Sequence, residues 1–345
     1  MRTSALVFER PVDLQATTPA EVRHRGRDDV RLLVSQPNRR DVVPFHALVD
    51  LLHEGDLLVV NRSATLAASL PSEAEFGPFV LNLSTDYGHG IWLAEPRFGP
   101  ARPGPLPLPP GAVFTVGGLR ASYIASYPGL PRLGFVRLEG SVREAMDRFG
   151  RPIRYGYVPD AFPLSAYQTA FGDRPGSAEM PSAGRPFTDE VLAGLRSRGV
   201  EVAPVTLHTG VSSLEIDTED AGTFPLYPEP FEVPAGTVDA VQRSRARGGR
   251  VVAVGTTVVR ALESAISDAR LRPAVGFTRR YVTPERPPSV ADALLTGFHD
   301  SKTSHLAMIA AFGGVARWKG DYAAAIEAGL LWHEFGDLHL LFRGA

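Results

Sequence analysis

Two hydrophobic periods alternate along this chain. Short, mostly apolar runs at Leu57–Val60 and Val251–Val254 suit strands covered on both faces, and Val30–Val34, Val202–His208 and Leu338–Phe342 read as further brief strands. Apolar residues at three- and four-residue spacing predict helices over Phe45–Leu52, Asp189–Arg198, Ala235–Arg247, Val258–Asp268, His305–Phe312 and Asp321–Ala328. Between Ser63 and Arg151 the period becomes two. Alternating runs at Phe79–Ser84, Gly90–Glu95, Ala112–Gly117, Ala121–Ser126 and Gly134–Glu139 are separated by Pro- and Gly-rich turns, and only Ser141–Phe149 reads as a helix. This pattern predicts a discontinuous α/β domain, residues 1–62 and 152–345, with an antiparallel barrel or sandwich inserted at 63–151.

The stretch VVAVGTTVVRALESA, from Val251 to Ala265, concentrates the features of a ligand-binding βα unit. A buried strand runs into Gly255-Thr256-Thr257, where glycine permits a tight turn and Thr257 is a candidate N-cap for the following helix. Arg260 and Glu263, three residues apart, project from one helix face. Open α/β sheets bind ligands at such carboxyl edges, although an ordinary βα unit with a surface ion pair has the same pattern.

Composition narrows the chemistry. The chain has 345 residues, 44% of them apolar and 21% charged, which suits a globular protein of two domains. With no cysteine, disulfides, thiolate metal sites and a cysteine nucleophile are excluded. No apolar run reaches the length of a membrane span and the N-terminus lacks a signal-peptide core, so a cytoplasmic protein without membrane contact is expected. A net charge of −2 confines any nucleic-acid contact to a local patch. Arg23, Arg25, Arg27 and Arg31, interleaved with Asp28 and Asp29, read as a solvated face, as do the arginines at 243, 245, 247 and 250. The histidines are dispersed, and His333-Glu334 lacks the second histidine of the zincin pattern, so no metal is expected. Gly297-Phe298-His299-Asp300-Ser301-Lys302-Thr303 has lysine where a P-loop needs its second glycine. Two polar stretches remain as site candidates. One is Tyr167–Thr188, too irregular for core; the other is Ala293–Ser304, where Thr296, His299 and Lys302 precede a helix.

Taken in order, YQT, PGS, PSAGRPFT, VTLHTG, VAVGTTVVRALESA, DALLTGFH with SKTS, and FGD resemble the S-adenosylmethionine:tRNA ribosyltransferase-isomerase family of the queuosine pathway. The matches extend from about Tyr157 to Leu341 and continue more faintly at GDLLVVNRSATLAASL. The resemblance implies an α/β fold, a discontinuous α/β domain with an inserted antiparallel β-barrel domain. It implies S-adenosylmethionine (AdoMet) as cosubstrate, no metal, and transfer of its ribosyl moiety to a 7-aminomethyl-7-deazaguanine base in tRNA. There the ribosyl rearranges to an epoxycyclopentanediol while adenine and methionine leave.

On this resemblance the cosubstrate contacts fall on Gly255, Thr256, Thr257, Arg260 and Glu263, on Tyr167, Gln168, Gly184, Phe187 and Thr188, and on Thr296 and Phe298. Arg260 would take the methionyl carboxylate, positioned by Glu263. His299 is the first candidate for removing the C5′ proton that the sulfonium acidifies, His208 the second, and Lys302 an anion holder.

The chain also departs from the family pattern. P-T-A-G-L-H-F-T becomes Pro181-Ser182-Ala183-Gly184-Arg185-Pro186-Phe187-Thr188, and H-V-G-x-G-T-F becomes His208-Thr209-Gly210-Val211-Ser212-Ser213-Leu214. M-H-S-E becomes Leu226-Tyr227-Pro228-Glu229, N-F-H-L-P-K-S-T becomes Gly297 to Ser304, and S-Y-G-D-A-M becomes Glu334-Phe335-Gly336-Asp337-Leu338-His339. The GTT helix is kept while groups suited to an acceptor change. Three readings follow: the tRNA enzyme, a divergent paralogue that cleaves AdoMet or transfers its ribosyl group to a small molecule, and a non-catalytic AdoMet-binding protein. Oligomeric state has no signature in the sequence.

Overall fold

The computed structural model describes residues 1–23, 26–99, 104–211 and 215–344. A nine-stranded sheet runs in the order Ala274–Thr278, Glu229–Val233, Glu201–Leu207, Leu57–Asn61, Val251–Val254, Ala293–Gly297, Leu338–Phe342, Arg31–Gln36 and Arg39–Pro44. The four strands from Glu201–Leu207 to Ala293–Gly297 are parallel, and Leu338–Phe342 enters antiparallel beside the last of them. Both faces of these strands are covered, which is why their sequences lack polar alternation. Leu58, Val60, Val252, Val254 and Leu295 share one apolar cluster with Phe45, Leu48, Phe187 and Leu195. Their sequence neighbours Leu57, Val59, Val251, Ala253 and Leu294 belong to a second cluster with Val258, Leu262, Leu306 and Trp318.

The alternating region forms a closed barrel of six antiparallel strands: Ser69–Ala74, Gly77–Asp86, Ile91–Arg97, Val113–Val116, Leu119–Tyr127 and Leu130–Glu139. Closure removes the free strand edges that a small open sheet would expose. Ser69–Ala74 has no counterpart in the sequence reading, because only Leu70 and Ser72 are buried along it and the apolar signal is one residue long. Strands from before and after the barrel complete the same nine-stranded sheet, so the chain leaves the α/β part and returns to it.

Several local expectations are corrected. The helix predicted over Phe45–Leu52 is a 3-10 turn, Phe45–Ala47, followed by one α-turn, Leu48–Leu51. The helix predicted from Asp321 starts at Val315, after Gly314 breaks the chain direction with a φ of 83°. Glu229–Val233 and Ala274–Thr278 are additional strands at the sheet margin, where Val275 and Phe277 stay exposed and leave little apolar period to read. Tyr167–Thr188 is not excluded from the core. Arg174–Ser177 pairs with Ser63–Thr65, and Tyr167, Ala178, Met180 and Phe187 are buried.

The first arginine group is not a solvated face either. Arg23 donates to the carbonyl of Phe335, Arg27 to that of Gln168, and Arg31 to the Asp337 carboxylate; Arg25 lies outside the described residues. In the second group Arg250 clasps Asp56, Arg243 pairs with Glu201, and Arg245 donates to the carbonyls of Ser289 and Val290. Long guanidinium stems let these residues reach backbone acceptors that sequence spacing does not reveal.

Candidate functional site

A cavity of about 520 Å³ opens where the carboxyl ends of the central parallel strands face the barrel. Gly255 starts this region. It directly follows Val251–Val254 and holds φ at 100°, a backbone angle that favours glycine, with the Ala183 Cβ 3.6 Å from where a side chain would begin. The helix Thr256–Ser264 begins at once, so Thr257 belongs to its first turn and is not its N-cap. The Thr257 hydroxyl instead accepts from Asn61 Nδ2 at 3.2 Å. Asn61 is itself fixed by the backbone of Leu207 and Ser63, tying three strand ends together.

Thr296, at the end of Ala293–Gly297, hydrogen-bonds His299 Nε2 at 2.9 Å. His299 stacks on His305 with ring centroids 4.2 Å apart, and His333 stands 5.4 Å from it. All three line the cavity. Burial, followed by the neighbouring imidazoles His305, His333 and His339, pushes His299 well below the ordinary histidine range. Burial likewise pushes His305 down to about 3 and lowers His333. At neutral pH the cluster is therefore uncharged, and its rings can take hydrogen bonds without presenting positive charge.

The charged groups of the cavity are divided between its walls. Arg97 and Arg132 come from the barrel, where Arg132 Nε reaches Glu95 at 2.5 Å and Arg97 Nη1 reaches it at 3.2 Å. Glu179 and Glu334 come from the α/β part, and Tyr155 donates to Glu179. Glu334 is 6% exposed, and its Oε2 has no hydrogen-bond partner among the described residues. Burial and then the Glu179 carboxylate push Glu334 up to about 8, so it carries a proton at neutral pH.

Of the residues singled out in the sequence, Gly255, Thr256, Thr257, Thr296 and His299 meet in this cavity. Gly184 lies in the turn Ser182–Gly184, whose other two members line it. Arg260 does not face the main cavity. Its guanidinium engages Glu229 and the carbonyls of Arg280 and Thr278, and it borders a smaller adjoining space of about 50 Å³. Glu263 does not position it, since that carboxylate caps the backbone N–H groups of Ser289 at 2.7 Å and Val290 at 2.9 Å.

Tyr167, Gln168, Phe187, Thr188 and Phe298 support the site from outside its lining. Gln168 makes a reciprocal pair with the Thr65 backbone, and the Tyr167 carbonyl accepts from the Thr65 hydroxyl. Phe187 packs edge-on against Phe45, Thr188 caps the helix Asp189–Ser197, and Phe298 lies 4.8 Å from Trp332 between ring centroids. His208 faces a different groove. Its Nδ1 shares a 2.7 Å hydrogen bond with Ser63 Oγ. Lys302 points outward and pairs with Glu215 at 3.2 Å. Of the departures, Ser212, Ser213 and Leu214 lie outside the described residues.

Arg97, Arg132, Tyr155, Glu179, His305 and Glu334 are cavity residues that the sequence reading missed. Two of them had a signal: Glu334 in the departure from S-Y-G-D to E-F-G-D, and Glu179 in its place within the polar stretch Tyr167–Thr188. No group of three or more histidines and carboxylates among the described residues is arranged to hold a metal ion, and no described helix is long and apolar enough to cross a membrane.

Comparison with known proteins extends over this whole architecture. A family model described as a queuosine biosynthesis protein matches residues 3–341. The S-adenosylmethionine:tRNA ribosyltransferase-isomerase of Anaeromyxobacter dehalogenans is 35% identical over 99% of this chain and 100% of its own length. The protein of the same name from Thermus thermophilus is 34% identical over 94% of this chain and 96% of its own. A crystal structure of S-adenosylmethionine tRNA ribosyltransferase from Thermotoga maritima superposes with a TM-score of 0.55 at 26% identity, covering 97% of this chain and 99% of that one. With a family model spanning nearly every residue and relatives matched end to end, this chain belongs to the queuosine biosynthesis protein family.

Proposed function

We propose that this protein is an AdoMet-dependent ribosyltransferase-isomerase acting on a 7-aminomethyl-7-deazaguanine base in tRNA. The observation that carries the reading is the cavity at the carboxyl edge of the parallel strands, where Gly255, Thr256, Thr257, Thr296 and His299 converge. Its volume of about 520 Å³ lies within the range of small-molecule sites. Arginines on one wall and carboxyl groups on the other suit a ligand that carries both charges, as AdoMet does. The neutral His299 is the proton acceptor of this reading, aimed at the C5′ hydrogen that the sulfonium acidifies, and Thr296 fixes its ring.

A second reading, ribosyl transfer to a small amine, is supported by the chain's own departures. Glu334 and Asp300 both line the cavity at positions where the family pattern has other residues. Mass spectrometry of AdoMet incubated with the protein, with and without tRNA bearing the aminomethyl base, separates the two. Adenine and methionine released only with that tRNA, and a matching mass gain on the RNA, is the expected result. Release without tRNA favours the small acceptor, and AdoMet returned intact in both tubes refutes transferase activity. His299→Ala is expected to cut product formation by about 10²- to 10⁴-fold with AdoMet binding retained. Full activity in that variant removes His299 from the mechanism.

A further inference from the structure

Among the cavity groups with a buried, unpartnered polar atom, the Glu334 carboxyl is the acidic one. Its Oε2 is buried and has no hydrogen-bond partner among the described residues, although the side chain borders an open space. A buried polar oxygen in that condition is costly unless a ligand supplies the missing donor. Glu179, which accepts from Tyr155, borders the same space and acts electrostatically on Glu334, so a second carboxyl stands beside it. We propose that Glu334, backed by Glu179, is the recognition site for a primary ammonium group on a substrate. A sulfonium has no N–H to give, whereas an ammonium brings three donors and a positive charge. Within the proposed function two groups have this chemistry: the α-ammonium of AdoMet and the aminomethyl group of the acceptor base.

The protonation state makes the proposal measurable. Glu334 is protonated in the free protein at pH 7, held so by burial and by Glu179, with Arg185 working the other way. Arg27 and Asp337 border a second, small space beside Glu334, and Tyr157, Tyr167 and His333 are further titratable neighbours. Burial raises both tyrosines and lowers the imidazole, so all three are uncharged at pH 7. An arriving ammonium favours the ionised carboxylate, so binding should release close to one proton.

Isothermal calorimetry at pH 7 in two buffers of different ionisation heat, on wild type and Glu334→Gln, reads both affinity and proton release. The ligands are AdoMet, S-adenosylhomocysteine, 5′-methylthioadenosine, which lacks the ammonium, and the aminomethyl base beside its 7-methyl analogue. The ammonium ligand that releases a proton from wild type and binds Glu334→Gln at least about tenfold more weakly, a loss of one short charge-assisted contact, identifies the source. The ammonium-free partners should bind both proteins alike and release none. If no ammonium ligand binds, or all bind without proton release, or Glu334→Gln binds them as tightly, the site is overturned. The inference rests on the proposed function but fails separately. Proton-linked binding without product leaves the site and removes the transfer; product formation equal in wild type and variant leaves the transfer and removes the site.

Discussion

A buried carboxyl that stays protonated at neutral pH costs stability, and Glu334 shows the size of the effect. Its folded-state value of about 8 lies above that of an unfolded glutamate, so the native state binds the extra proton and stability declines as pH rises from about 4.5 to 8. Glu334→Gln removes that cost and is expected to stabilise the ligand-free protein by up to about 3 kcal/mol at pH 7, with little change at pH 4. Urea unfolding at the two pH values checks this; equal midpoint shifts at both would contradict it. Only the letter change at this residue is legible in the chain itself, because desolvation depends on neighbours from distant segments such as Glu179. The same limit applies to Arg260 and Glu263. Helical spacing correctly puts both on one helix, but their partners, Glu229 and the Ser289–Val290 backbone, come from elsewhere in the chain.

At the scale of elements, loops and caps decide where strands end and how their ends are held. Gly255 lets Val251–Val254 pass into the helix Thr256–Ser264 without an intervening loop. Gly255→Ala is therefore expected to cost about 1–3 kcal/mol in backbone strain and to weaken AdoMet binding with it, measured by denaturant unfolding and calorimetry. Asp56 anchors the opposite end of the strand. It accepts from the backbone of His53 and Arg250 and from the Arg250 guanidinium. Burial alone would raise its carboxyl, but the Arg250 contacts and the two N–H groups hold it below the ordinary range. Its contribution is thus complete above about pH 4 and is lost as pH falls through the depressed value. Asp56→Ala is expected to lose about 3 kcal/mol at pH 7 and to lose less at pH 3, by the same unfolding assay. The strands and the strand–glycine–helix order here were legible from apolar run length and Gly255. The cap was not, since Thr257 has the right residue type two positions past the actual N-cap, Gly255.

Across the whole molecule the cavity exists because two unlike parts meet. The parallel strands deliver Thr257, Thr296 and His299, while the barrel contributes Arg97 and Arg132. The alternation that announced the barrel says which residues point inward, yet not which barrel residues face a cavity outside it. That is why Arg97 and Arg132 escaped the sequence reading although Gly255, Thr296 and His299 did not. If the barrel wall holds the carboxylate of the cosubstrate, Arg97→Met should lower AdoMet affinity about tenfold while leaving 5′-methylthioadenosine unaffected. Equal loss for both ligands would instead mark Arg97 as structural. The account depends on AdoMet entering this cavity, and a crystal of the protein soaked with AdoMet tests it most directly. Density for the nucleoside between Gly255–Thr257 and the Glu179 and Glu334 carboxyls is the predicted result; AdoMet bound elsewhere, or a cavity that remains empty at saturating ligand, would contradict it.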